Sequence, residues 1–185
     1  GTGVVLTSGV ADDVIVFTSG GGAGQDITFS STLDNADNES VTFDAGAAGD
    51  ITVSGALGDL GTGDIRVVNA ADVTFSATVD ADNFTQVAGT GTTLFSDTVD
   101  LATNFDFTGG ALTLSGTGNT VDGTFEVTNG GVFTTSSSSD ITVSSTFVQN
   151  GAGTNAIGDD ITATSILFGT GVVLTSGVAD DVIVF

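Results

Sequence analysis

The stretch DVTFSATVD at residues 72–80 decides the fold, because it is one member of a series. DITFSSTLD (26–34) and DITVSGALG (50–58) precede it, and TTLFSDTVD (92–100) and ALTLSGTGN (111–119) follow it. VFTTSSSSD (132–140), TNAIGDDIT (154–162) and the segment from Gly171 continue it, with starts about 21 residues apart. Each unit carries a second apolar segment ahead of a Gly-rich end, as in SVTFDAGAAG (40–49), DIRVVNAA (64–71), NFTQVAGTG (83–91), NFDFTGG (104–110) and TFEVTNGG (124–131). Two strands and two turns per unit are therefore expected. Alternation puts Ile27 and Phe29, Ile51 and Val53, Val73 and Phe75, Phe95, and Leu112 and Leu114 on one face, the period of two that strands require.

A longer repeat encloses the short one. Residues 1–17, GTGVVLTSGVADDVIVF, recur unchanged at 169–185, so positions 1–168 make up one full period of the sequence. The 185 residues read as one continuous segment in which 169–185 begin the next tandem period, with about eight units per period. The chain has no Met and so no translation start, and is expected to be a piece of a longer protein.

A unit of this length cannot bury its own apolar face and needs neighbours above and below. A string of antiparallel sandwiches would need about 100 residues per domain and commonly a buried Trp or a Tyr corner, and this chain has neither residue. The expected fold is all-β: a right-handed parallel β-solenoid, or β-helix, of about eight coils of about 21 residues per period. The absence of Pro fits a chain whose backbone N–H groups are used in ladders between coils. The inward rows should be Ile27, Ile51 and Val73, then Phe29, Val53, Phe75, Phe95 and Leu114, and on a second sheet Phe43, Val67, Phe107, Val127 and Phe147. Val182 and Val184 should take the environment of Val14 and Val16, one period along.

Composition narrows function. The chain has 28 Gly and 13 Phe, no His, Cys, Tyr or Trp, and one cation, Arg66, against 23 carboxylates, for a formal charge of −22. The usual general base, thiol nucleophile and amine are missing, and nucleic-acid binding lacks its clustered Lys and Arg. No apolar run approaches the roughly 20 residues of a membrane helix, so no membrane insertion is expected. The Asp pairs Asp12–Asp13, Asp159–Asp160 and Asp80–Asp82 are poor acid–base partners, because strand neighbours point to opposite faces; the chain is not expected to be an enzyme. Arg66 should point outward toward nearby carboxylates. Asn38-Glu39-Ser40 and Asn83-Phe84-Thr85 match the N-x-[ST] acceptor pattern, which chance supplies in so Asn- and Thr-rich a chain.

The D-[IV]-T-[FV]-S openings, the G-T-G and N-G-G turns and the long exact repeat resemble the repeat regions of giant bacterial surface proteins, of the filamentous-haemagglutinin-like and autotransporter-passenger kind. The resemblance covers all 185 residues. It implies an exported β-helix at the cell surface or outside the cell, acting as a stalk, adhesin or matrix fibre, and it carries over no catalytic residue.

The acids are the remaining site candidates. Asp26, Asp50 and Asp72 open three consecutive units at one position, and Asp34, Asp80 and Asp100 close the openings of theirs, so stacking would bring like charges about 5 Å apart. Such files splay into water, take up protons or share a hard cation; these six are candidate weak Ca²⁺ ligands, the only cofactor suggested. GGAGQDITF (21–29) approaches the G-G-x-G-x-D-x-U-x calcium motif, but Thr28 holds the position that should be apolar and the motif occurs once. The function expected is a stiff structural filament, stalk or adhesin fibre whose partner is itself, end to end. The alternative is a surface-binding module gripping glycan, ice or mineral through exposed Thr, Asn and Asp rows.

Overall fold

A computed structural model describes residues 4–6, 13–35, 38–58, 63–169, 173–176 and 183–184. Among them there is no helix. The strands wind into a parallel β-solenoid of three faces, and the coils that open at Ile27, Val73, Thr92 and Ala111 contribute a short strand to each. The first sheet runs Ile27–Phe29, Ile51–Val53, Val73–Phe75, Thr92–Phe95, Ala111–Leu114, Phe133–Thr135, Thr154–Ile157 and Val173–Ser176, every neighbouring pair parallel. The second carries Val79–Ala81, Val99–Leu101 and Asn119–Val121, extended toward the N-terminus by single bridges from Val79 to Leu57 and from Leu57 to Leu33. The third carries Ser40–Asp44, Ile65–Asn69, Phe84–Gln86, Phe105–Gly109 and Phe125–Asn129. Ile141–Gln149 and Ile161–Phe168 run through the corner between the second and third sheets, with a register shift between Val143 and Thr146.

Two expectations are corrected here. There are up to three strands per coil, because the tails of the repeat openings, such as Val79-Asp80-Ala81 and Val99-Asp100-Leu101, are strands of their own with the flanking apolar residues turned inward. Two apolar residues around one Asp look like turn sequence, yet so short a strand needs no more. The coil count also differs: among the described residues six turns separate the equivalent positions Ile27, Ile51, Val73, Thr93, Leu112, Phe133 and Asn155, and Val173–Ser176 begins a further coil. These turns average about 21 residues, and the outermost coils fall partly outside the described residues.

The inner face of each strand fills one core. The first-sheet rows are those expected, with Ile51, Val53, Val73, Phe75, Phe95, Leu112 and Leu114 each at most 1% exposed. On the third sheet Phe43, Val67, Phe107 and Val127 lie in one row as expected, with the polar Gln86 between Val67 and Phe107 and Gln149 beyond Val127. Phe147 is corrected to the neighbouring row, in register with Phe125, Phe105 and Phe84. That row is a column of rings with centroids 5.1, 4.3 and 5.2 Å apart and planes within 26° of parallel. Buried apolar area at about 25 cal/mol per Å² is the main stabilising force, and no single coil could supply it. Close backbone approach sets the corners: Gly58 has φ +93°, and a Cβ there would lie 1.8 Å from the Asp80 carbonyl of the next coil.

The segment repeated at 1–17 and 169–185 occupies two different places. Val4–Leu6 pairs with Leu33–Asn35 on the second sheet, whereas Val173–Ser176, its counterpart offset by one position, pairs with Thr154–Ile157 on the first. Val14–Thr18 lies on Ser40–Asp44 of the third sheet, whereas Ile183–Val184 pairs with Ile161 and Thr162 of the second. Val184 therefore does not take the place of Val16, contrary to expectation, and Val182 lies outside the described residues. An end strand has a ladder partner on one side only, so one sequence is held by whichever coil adjoins it.

Candidate functional site

The stacked acids are tied to backbone. Asp26, Asp50 and Asp72 sit at the corner leading into the first sheet, and each carboxylate accepts an N–H from the next coil: Asp50 N donates to Asp26 Oδ1 at 2.9 Å, Asp72 N to Asp50 at 3.0 Å and Thr92 N to Asp72 at 2.6 Å. Like charges remain stacked because each offsets its neighbour's repulsion with a charge-assisted hydrogen bond. The file joins coils, as an N-cap Asp joins the first turn of a helix.

Asp34, Asp80 and Asp100 lie in the second-sheet strands. Asp80 and Asp100 are register neighbours, and with Leu57, Thr78, Val79 and Thr98 they line a shallow depression of about 280 Å³. Asp100 also accepts the Thr120 hydroxyl. Asp34 is separated from Asp80 by the coil of Leu57. The structure thus brings the six candidates into two separate files. Among the described residues no group of three acidic side chains converges closely enough to hold a metal ion. In the calcium-like stretch, Gln25 Oε1 accepts from Gly22 N at 2.7 Å, while Asp26 serves the Asp50 amide.

The acid pairs are apart or self-engaged. Asp160 N donates to Asp159 Oδ1 at 2.8 Å, Asp80 lies on a strand and Asp82 at the following corner, and Asp12 of the Asp12–Asp13 pair lies outside the described residues. Arg66 is exposed on the third sheet, and its register neighbours are Thr42 and Thr85 rather than carboxylates. Further along the same outward row Asp106 and Glu126 are direct neighbours. Partial desolvation, and after it the Glu126 carboxylate, raise the pKa of Asp106 above the ordinary value. Glu126 accepts a hydrogen bond from Asn150 Nδ2 at 2.7 Å.

One working file escaped sequence reasoning. At the corner leading into the third sheet, Asp64 N donates to Ser40 Oγ at 3.1 Å and Asn83 Nδ2 to Asp64 Oδ1 at 2.7 Å. Asn104 N then donates to Asn83 Oδ1 at 3.2 Å, and Thr124 N to Asn104 Oδ1 at 2.9 Å. The signal was the polar residue just ahead of each inward Phe, as in Asn83-Phe84 and Asn104-Phe105. Asn83, read as a glycosylation match, is thus a coil fastener. Polar residues also enter the core in pairs, Thr93 Oγ1 donating to Gln86 Oε1 at 2.8 Å and Gln149 Nε2 donating to Asn129 Oδ1.

The outer face of the first sheet is built mainly of hydroxyls. Thr28, Thr52, Thr74, Thr113 and Thr134 stand in one row, interrupted by Leu94. Ser30, Ser54, Ser76 and Ser96 follow just beyond the strands, the backbone amides of Ser54, Ser76 and Ser96 continuing the ladder. On the second sheet and its corners comparable hydroxyls bond inside the protein, as Thr98 does to the Thr117 carbonyl and Thr164 to that of Ser144. Beside the hydroxyl face, Gly89, Gly91, Gly109, Gly110, Gly130 and Gly131 floor an open groove of about 590 Å³. No family model, curated protein or solved structure matches the chain.

Proposed function

We propose that the chain is a structural segment of an extracellular or cell-surface filament, stalk or adhesin fibre, whose useful property is its persistence as a stiff acidic rod. The observation that carries this reading is the uninterrupted parallel ladder: three sheets continue from coil to coil over one core, and the most conspicuous side chains, the acid and Asn files, serve to fasten coils. Residues so engaged build length. The excess of carboxylates keeps such a rod soluble and discourages side-by-side association. Antibody labelling of intact cells of the source organism tests it. Label on fibres outside the cell is expected, and label confined to the interior contradicts it.

A second function is favoured by the hydroxyl face. Its Thr and Ser files repeat at the inter-strand spacing of about 4.8 Å and suit a neutral, regular surface such as a polysaccharide, ice or mineral. Retention on insoluble polysaccharide, lost when Thr52 and Thr74 are changed to Lys, would support it; equal retention of the variant would remove it.

A further inference from the structure

We propose that the glycine-floored groove at the corner between the third and first sheets binds a neutral polysaccharide chain, with the side-chain amide of Gln86 as the donor beneath its floor. The inference rests on the polysaccharide reading of the adjoining hydroxyl face and adds where a single chain is held.

The groove has its cause in turn length. Gln86 is in register with Phe107, and the ladder resumes where Ala111 N donates to the Gly91 carbonyl at 2.9 Å. Between those two points one coil runs from Val87 to Thr90 and the next only from Thr108 to Gly110, so the longer connection stands away from the shorter. Glycines in both leave the gap open. Gly89, Gly109 and Gly130 come from successive coils, so the groove runs parallel to the Thr and Ser files beside it.

Under this floor lies Gln86, 2% exposed. Its Oε1 accepts from Thr93 Oγ1 at 2.8 Å, while its Nε2 has no acceptor among the described residues. A Cβ at Gly89 would lie 2.6 Å from that nitrogen, and one at Gly109 3.0 Å from it. The donor is therefore left uncovered by the two glycines that floor the groove above it. An amide held without a partner costs stability, and a ligand oxygen seated between Gly89 and Gly109 gives it one.

The groove also has an acceptor. The exposed Asp72 carboxylate lies against Gly91 and keeps lone pairs beyond the one taken by Thr92 N. A sugar hydroxyl both donates and accepts, and so suits an amide N–H and a carboxylate lining one groove. Asp72 and the formal charge of −22 disfavour an anionic ligand. A polypeptide lacks a purchase here. The amides of Gly91, Gly130 and Gly131 and the carbonyls of Gly91, Gly109 and Gly110 are already bonded between coils, which leaves no edge for a strand to extend. The lining of Gly, Thr and Ala offers no large apolar side chain to grip one.

The test follows the side-chain amide of Gln86 by NMR in the 185-residue chain as cellohexaose, maltohexaose or mannohexaose is added, with hexagalacturonate as the anionic probe. Gln25 and Gln149 are the only other glutamines, and Gln86→Glu identifies the signal by its loss. At least one neutral hexaose is expected to shift the Gln86 signal saturably and leave that of Gln25 unmoved. Gly89→Ala, whose Cβ covers Nε2, is expected to weaken that binding at least about tenfold, its circular dichroism checking that it folds. A Gln86 signal that answers none of the three, undiminished binding by folded Gly89→Ala, or tighter binding of hexagalacturonate overturns the groove site; the first of these needs no substitution. The two readings fail separately. Retention on insoluble polysaccharide that is lost on changing Thr52 and Thr74, with no response at Gln86, keeps the face and removes the groove; a Gln86 response in a chain whose retention ignores Thr52 and Thr74 does the reverse.

Discussion

The middle of the solenoid and its N-terminal end use the same side chain to different effect. In the middle, Phe105 and Phe125 are stacked on both sides within their column and are at most 1% exposed. At the end, Phe17 and Phe43 stack at 5.8 Å and Phe29 meets both edge-on, yet Phe17 and Phe29 stay half-buried. The rings are equivalent in chemistry and differ in how many coils cover them. Stability in such a fold is a sum over neighbours, so position along the axis should weigh more than residue type.

Phe125→Ala against Phe17→Ala tests this most strongly. The first should cost about 3–5 kcal/mol, the range for a fully buried ring, and the second less than half of that, because water already reaches the site. Equal losses in denaturant unfolding would break the comparison.

Glycines give the next contrast. A Cβ at Gly110 would lie 2.3 Å from the Gly91 carbonyl oxygen and 2.8 Å from that of Thr90, backbone of the preceding coil, whereas one at Gly24 meets nothing within 4 Å. Gly110→Ala should cost about 2–3 kcal/mol by overpacking. Gly24→Ala should cost about 1 kcal/mol, for its φ of +74° alone. Thermal unfolding of the pair checks the order.

Asp50→Ala removes the acceptor for the Asp72 amide and should cost about 1 kcal/mol, despite relieving repulsion in its file. A more stable variant would mean that repulsion wins there. The smallest effect is expected at Asp106. Its pKa is raised, so the folded state binds the proton more tightly than the unfolded chain: the cost of its charge is present at neutral pH and is relieved as pH falls through the raised value. Asp106→Asn should raise the melting temperature slightly at pH 7 and leave it unchanged near pH 3.

Much of the architecture was legible because the period-two alternation of the repeat openings, and the regular recurrence of those openings, are properties of the chain itself. What escaped were features that stacking creates. Val79-Asp80-Ala81 becomes a strand only when Val99-Asp100-Leu101 lies beside it. Phe147 belongs to the Phe125 row because its coil keeps the register of the coil before it, Val143 on Val121 and Phe147 on Phe125, which leaves the polar Gln149 in the place an apolar residue was expected to fill. Asp26, Asp50 and Asp72 stack as expected, and so do Asp80 and Asp100, while Asp34 stands a coil apart from Asp80; the donor that each carboxylate of the first file meets, an amide one coil away, is set by turn length rather than by motif. Asn83 and Asn104 show the converse: their role could have been read from the polar residue ahead of each Phe, had the corner been recognised as a repeated position.

The most direct test of the stacked-coil account is the length of a two-period chain, residues 1–168 followed by 1–185, imaged by electron microscopy beside the 185-residue chain. Coils averaging about 21 residues and rising about 4.8 Å each predict a rod longer by about 38 Å with unchanged width. A particle that widens instead, or two globules separated by a flexible link, would contradict it.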